Sequence, residues 1–292
     1  MREITLEGAK LIGEGYFSKV YKIAEDEIIK VYVRNTPIED IDRERELSRT
    51  AFIKGLPTAI TFDVVKVGDK YGVVYEMLDG KSFGDAIKND KENLDANIKK
   101  YADLLKEFAA ADAGEDNRLP SANDQALEKA EKIKPFITSG EYEKIVGIIK
   151  EMSRPNTFVH GDCHVNNLIS SGDNIYVIDM DTLSSGNPVF ELAAIYCTYI
   201  AFEEFDPGNN ERFLKIPNKI VKKIWHGTFD NYFNGSSDEV KERNMQRVQL
   251  LAYFHMLFWI KTFKPEDTAM FDGNYARFRE CLSVVKSGDF EM

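Results

Sequence analysis

Through residues 10–78 the apolar side chains alternate or cluster as they do in strands, interrupted once by a helical stretch. Residues 10–12 lean apolar, 13–18 form a loop, and 19–24 return with Val20, Tyr21 and Ile23 alternating. After a turn at 24–27, Ile28-Ile29-Lys30-Val31-Tyr32-Val33 is a strongly β-forming run. Pro37 opens a helix over about residues 38–54, with acidic residues near its start and Gly55 as its stop. Residues 61–67 and 71–77, either side of Gly68-Asp69-Lys70, predict a hairpin that completes a small antiparallel sheet, and Asp79-Gly80 breaks the chain.

From Ser82 onward the spacing turns helical. Ser82 is placed to cap a short helix reaching Lys88, and residues 93–113 carry Leu94, Ile98, Tyr101, Leu104, Leu105 and Phe108 on one helical face. Residues 114–121 form a loop, and two more helices are expected over about 123–134 and 140–152. Strand-like runs reappear at Phe158-Val159, Leu168-Ile169 and 175–178, the last two separated by the turn cluster Ser171-Gly172-Asp173-Asn174. Pro188 starts an apolar helix to about Phe205, and residues 206–292 are helical and aromatic-rich.

The length of 292 residues, 43% apolar, suffices for one large domain or two lobes. A net charge of −11, without a basic arm, argues against nucleic acid as a partner. Cys163, Cys197 and Cys281 are scattered and include no CxxC, as expected of free thiols in a reducing compartment. His160, Cys163 and His164 lie in a strand-and-loop pattern with no further cysteine pair, so a structural zinc is not expected. The first ten residues lack the apolar stretch of a signal peptide. The apolar stretches near 190–202 and 251–260 fall short of the ~20 residues that span a bilayer. The expectation is a soluble cytoplasmic protein with no membrane partner. The sequence leaves its oligomeric state open.

The chemistry concentrates in residues 160–181, HGDCHVNNLISSGDNIYVIDMD. Polar groups sit at the ends of short apolar strands: His160, Asp162 and Asn167 before one, Asp179 and Asp181 after the next. Carboxylate and amide oxygens from Asp162, Asn167 and Asp179 are donors of the kind that Mg²⁺ takes, usually together with substrate phosphates. A carboxylate beside such a metal can accept a proton from an attacking hydroxyl, and the set describes a phosphoryl-transfer site. Lys30, apolar-flanked inside its strand, is either at a sheet edge or facing an anion.

HGDCHVNN resembles the catalytic loop of the aminoglycoside phosphotransferase and choline kinase group, and IDMD resembles its metal-binding motif. Asp162 and Asn167 have the spacing of the protein-kinase loop HRDxxxxN, with Gly161 in place of the arginine. GEGYFSKV is similar to the kinase glycine-rich loop, with Ser18 at the third glycine. This resemblance implies an α+β, bilobal protein kinase-like fold. Residues 1–78 would form a nucleotide-binding N-lobe, a small antiparallel β-sheet with one helix. Residues 79–292 would form a larger, mainly helical C-lobe with the catalytic loop and the acceptor pocket.

It implies Asp162 as the catalytic base, Asn167 and Asp179 as Mg²⁺ ligands, and ATP or GTP as the phosphoryl donor. Gly13, Gly15 and Ser18 would cover the phosphates and Lys30 would hold them, oriented by Glu44 or, in reserve, Glu46. The backbone of Glu76, Met77 and Leu78 would receive the purine edge. The family's GDPxxDLA appears here as GNPVFELA, so Asn187 and Glu191 depart from it, with Glu191 as the expected brace of the catalytic loop. Only eight residues separate Asp179 from Pro188, too short a segment for a peptide platform, which favours a small-molecule hydroxyl as acceptor. The aromatic run at 251–263 and the carboxylates Glu203, Glu204 and Asp206 fit either acceptor binding or, respectively, core packing and a solvated cluster. A protein kinase and a catalytically silent nucleotide-binding module stand as alternatives to a small-molecule kinase.

Overall fold

Period-2 runs present two different faces, and pairing them satisfies their backbone groups while each face buries its own set of side chains. The computed structural model describes residues 1–15, 17–33, 36–90, 92–114 and 119–286. Its first elements are β1 (Lys10–Glu14), β2 (Ser18–Lys22), β3 (Glu27–Tyr32), α1 (Ile38–Ile53), β4 (Thr61–Val67), β5 (Lys70–Glu76) and β6 (Lys81–Ser82). There follow α2 (Phe83–Asn89), α3 (Leu94–Ala110), α4 (Ala122–Ile133), α5 (Ser139–Glu151), β7 (Phe158–Val159), β8 (Leu168–Ser171), β9 (Asn174–Val177) and β10 (Ser184–Ser185). The remainder is helical: α6 (Val189–Tyr196), α7 (Phe202–Phe205), α8 (Asn209–Phe213), α9 (Asn218–Tyr232), α10 (Asp238–Phe263) and α11 (Thr268–Val284).

Two compact units emerge, Met1–Phe83 with Asn167–Leu183, and Gly84–Asn166 with Ser184–Met292. β6 pairs with β8 and β8 with β9, so the hairpin after Asn167 folds onto the first unit. Gly80 permits the approach, since a Cβ there would stand 2.5 Å from the carbonyl oxygen of Ser170. Ser82, expected to cap α2, ends β6 and directly precedes the helix.

The first unit is built on an antiparallel sheet in the order β1-β2-β3-β5-β4. Alternation along β3 sends Ile29 and Val31 to one face, against Val65 and Val74. The opposite face takes Tyr32, packed with Val73 and with Ile41 of α1. Helix α1 buries Ile41, Glu44, Leu47, Ser48 and Ala51, a stripe at helical spacing that includes one carboxylate. Gly55, at φ +85°, lies just beyond the helix end as expected.

In the second unit α3 buries the six residues that its periodicity marks. The 26-residue α10 packs against α4, α6 and α11. Trp225, Tyr101, Tyr199 and Tyr253 are the unit's largest fully buried side chains. The helix expected from Pro188 to Phe205 is present, but Cys197–Ala201 is a π-helical stretch between α6 and α7. Among the described residues no helix is long and apolar enough to cross a membrane.

Candidate active site

Lys30 is an interior position of the sheet, paired with Val20 on β2 and Val73 on β5. A buried ammonium needs an anion, and Lys30 has two. Its Nζ donates to Glu44 Oε1 at 2.7 Å and to Asp179 Oδ1 at 2.5 Å. Burial alone would lower the Lys30 pKa, but the carboxylates of Asp179 and Glu44 outweigh it and hold the pKa well above the ordinary value. The two candidate glutamates are separated by geometry. Glu44 is 5% exposed and faces Lys30, whereas Glu46 accepts from Arg45 at 2.6 Å on the outer side. The opposite faces follow from the 200° or so between positions two apart on a helix.

Two tyrosines complete the shell around Glu44. Tyr32 donates to Oε2 at 2.5 Å, and Tyr75 to Oε1 at 3.2 Å. Neither is marked by the sequence pattern, because a tyrosine in a strand reads as core. The available signal was the i, i+2 spacing of Lys30 and Tyr32, which puts them on one face.

Asn167 and Asp179 leave the β8–β9 hairpin at the same end. Leu168 pairs with Val177, and the Ile178 N–H donates to the Asn167 carbonyl at 2.9 Å. Asp179 has a left-handed backbone, φ 68° and ψ 62°, a conformation costing on the order of 1 kcal/mol outside glycine. Oxygens of Glu44, Asp179 and Asp181 lie within 4.8 Å of one another. Three formal negative charges against the one positive charge of Lys30 leave −2 in this cluster. Glu44 is taken up by Lys30 and the two tyrosines, which leaves the Asp179 and Asp181 carboxylates as oxygen donors of the kind that Mg²⁺ takes.

The loop joining β1 and β2 is closed by the Gly15 N–H donating to the Ser18 carbonyl at 2.9 Å. Ser18 is buried, and Tyr16 of this motif lies outside the described residues. Neither Gly13 nor Gly15 has a positive φ. A Cβ at Gly13 would meet only Val20 at 3.5 Å, and at Gly15 only Ser18, whose carbonyl oxygen is 3.8 Å away. The chain's own packing therefore does not require glycine at either place. At the expected purine-binding segment, the Glu76 N–H is held by the Ile60 carbonyl and the Met77 N–H by the Asp26 carbonyl. Leu78 is the member of the three whose N–H has no partner among the described residues.

In the second unit the loop carrying Asp162 is held from several sides. Gly161 takes a φ of 82°. Its N–H and that of Cys163 donate to the Glu191 carboxylate at 2.9 and 3.2 Å. Tyr101 donates its hydroxyl to the Cys163 carbonyl, and the Val165 N–H donates to the Tyr199 hydroxyl at 2.9 Å. Asn166 reaches the Leu214 carbonyl. Glu191 thus braces the loop despite replacing the aspartate of the family pattern. Asn187, the other departure, caps α6 by accepting from the Val189 N–H at 3.0 Å. Burial raises the Glu191 pKa, opposed by His160 and by the backbone N–H donors.

His160, Cys163 and Glu191 cluster closely enough to suggest a metal. Burial, with the charges of Glu191 and Asp162, keeps Cys163 a thiol, and the Glu191 oxygens are engaged by backbone, so the cluster is a brace. Asp162 itself has a half-exposed side chain, with His164 Nε2 at 3.7 Å from its Oδ2.

The carboxylates considered for amine binding are engaged internally. Glu203 accepts from the Gly208 and Asn210 N–H groups, Glu204 from the Tyr253 hydroxyl, and Asp206 pairs with Arg212. Of the aromatic run, Tyr253 and Phe254 are core, while Phe263 is exposed.

A profile of the phosphotransferase enzyme family matches residues 8–218, well over half of the chain. The chain belongs to that family. Its match spans both the Lys30 cluster and the Asp162 loop. No curated protein matches the sequence. Among solved structures, a choline/ethanolamine kinase family protein from Mesorhizobium loti matches with a TM-score of 0.58 at 13% identity, over 97% of this chain and 89% of the other. The ADP-bound aminoglycoside phosphotransferase APH(2'')-Ib matches at 0.57 and 16%, over 94% and 91%. The GDP complex of aminoglycoside 2'-phosphotransferase-IIIa matches at 0.55 and 12%, over 94% and 92%. At these identities the likeness is one of fold. Family membership makes this chain a phosphotransferase, and its fold is of α+β, kinase-like architecture.

Proposed function

We propose that this phosphotransferase moves the γ-phosphoryl group of ATP or GTP to a hydroxyl of a small polar molecule, with residues 1–78 as the nucleotide-binding lobe and 79–292 as the acceptor lobe. The observation that carries this reading is the Lys30–Glu44–Asp179 cluster. It joins residues 14 and 149 positions apart, each taken from a different sequence motif.

In this reading Lys30, oriented by Glu44, binds the nucleotide phosphates, and the 13–18 loop covers them with backbone N–H groups. The Leu78 N–H, with the backbone of Glu76 and Met77 around it, receives the purine edge. Asn167 and Asp179 hold Mg²⁺, with Asp181 adjacent. Held by these residues, the ion would supply neutralisation of the negative charge that grows on the leaving oxygen. Asp162 takes the proton of the acceptor hydroxyl as its oxygen forms the new bond to phosphorus. The bond from the γ-phosphorus to the bridging oxygen breaks, and the nucleoside diphosphate leaves. Glu191, Tyr101 and Tyr199 keep the Asp162 loop in shape during this transfer.

A thermal-shift titration with Mg²⁺ plus ATP or GTP tests the nucleotide site. At about 100 times its Kd a ligand stabilises by ~2.7 kcal/mol. The wild type should melt higher with one nucleotide or both, and Asp179→Ala should lose most of the Mg²⁺-dependent part. Absence of any shift in the wild type would overturn the reading.

A further inference from the structure

Glu44 is a carboxylate with 5% exposure, and such a group is tolerated only when its oxygens are fully engaged. One of its three donors is Lys30, which is also shared with Asp179 and, in the reading above, with the nucleotide phosphates. A glutamate held by that lysine alone would loosen whenever the lysine turned to another anion. The other two donors have no such competing duty. Tyr32 follows Lys30 by two residues on β3, and Tyr75 lies on β5 opposite Ile28. Strand alternation therefore puts Lys30, Tyr32 and Tyr75 on the same face of the sheet, the face that receives α1. The two hydroxyls reach different oxygens of Glu44, at 2.5 Å to Oε2 and 3.2 Å to Oε1. Burial raises both phenol pKa values far above the ordinary value, with Glu44 adding to the shift and Lys30 opposing it, so both hydroxyls stay protonated donors.

We infer that Tyr32 and Tyr75 are positioning residues. They fix the Glu44 carboxylate, and through it Lys30 and helix α1, in the phosphate-binding arrangement whether or not Lys30 is engaged by nucleotide. The inference rests on the reading of Lys30 as a phosphate ligand.

The test is a double-mutant cycle. Tyr32→Phe, Tyr75→Phe and the double variant are made in the wild type and in a Glu44→Gln background. Each is titrated with Mg²⁺–ATP by calorimetry and assayed for slow ATP hydrolysis, with water as the acceptor. A hydrogen bond to a charged group is worth about a factor of 10 or more. The double tyrosine variant should weaken ATP binding and raise its KM by about 10-fold, with kcat falling by less, and Tyr32→Phe should exceed Tyr75→Phe because its bond is shorter. In the Glu44→Gln background the same changes should have an effect of about twofold or less.

Equal effects in the two backgrounds would mean that the tyrosines act by packing alone, and would overturn the inference. So would silent tyrosine variants beside a Glu44→Gln variant that binds ATP poorly. A Glu44→Gln variant that binds ATP normally would overturn the reading of Lys30 and Glu44 itself, and this inference with it. The single variants keep the test available if the double variant does not fold.

Discussion

A carboxylate in a loop can be a turn former or a base, and at Asp162 the difference lies in what surrounds it. Its neighbours Gly161 and Cys163 give their N–H groups to Glu191, so the loop is held on both sides of Asp162 by bonds that do not involve its side chain. Asp162→Asn should therefore fold normally and bind Mg²⁺–ATP with near wild-type affinity, while transfer falls by ~10²–10⁴. Calorimetry and steady-state kinetics on the same sample would check both halves, and wild-type turnover would remove Asp162 as the base. Residue-level reading of the sequence named Lys30, Glu44 and Asp179, which the fold brings into contact, because motif spacing and strand alternation constrain them. It did not reach Tyr32, Tyr75, Tyr101 or Tyr199. Each has an apolar body that reads as core, and only its hydroxyl, invisible to periodicity, carries the role.

Helices α4 and α10 meet at a pair whose charge has no compensation. The ammonium of Lys129 lies 3.1 Å from Nδ1 of His255, and no carboxylate pairs with it among the described residues. Lys132 stands over the same Phe258 ring as Lys129. Burial, with Lys132 adding to it and Cys197 opposing, pushes the Lys129 pKa down from 10.5 to about 8. His255 is held well below its ordinary value by burial and by Lys129, and accepts from it as a neutral ring. The folded state therefore binds fewer protons than the unfolded chain between about pH 8 and 10.5, and stability should fall as pH drops through that window. Lys129→Met should abolish this limb and raise stability at pH 7 by on the order of 1–2 kcal/mol. Urea unfolding at pH 7 and 9.5 measures it, and equal stability differences at the two pH values would refute the assignment. Element boundaries were legible to within a few residues, but β6 was not, because only its pairing with β8 makes Lys81 and Ser82 a strand.

For the molecule as a whole, the segment after Asp179 decides what kind of acceptor is served. Only eight residues lead from Asp179 to Pro188, and they form a single 3₁₀ turn and the two-residue strand β10, paired with β7. No extended platform for a peptide is present there. A panel of hydroxylated small molecules should yield phosphorylated product, and a peptide library should yield none, with a radiolabelled γ-phosphate as readout. Peptide labelling above the level of Asp162→Asn would overturn this. The kinase-like α+β architecture could be read from the order of strand and helix patterns with two motifs. The acceptor was not readable, since Glu203, Glu204 and Asp206 look like an amine site on paper but are consumed by a helix cap, a tyrosine and an arginine.

The π-helical stretch at Cys197–Ala201 acts as a phase shifter. Upstream of it, Glu191 is turned toward the Asp162 loop, and downstream Glu203 and Glu204 are turned toward α8 and the Tyr253 hydroxyl. A regular helix advances about 100° per residue, so trimming one residue here to restore ideal periodicity would swing one set of carboxylates off its partners. The wide turn is the spacing that lets a single continuous rod serve two differently aimed faces, and its residue count is as much a constraint as any side chain within it.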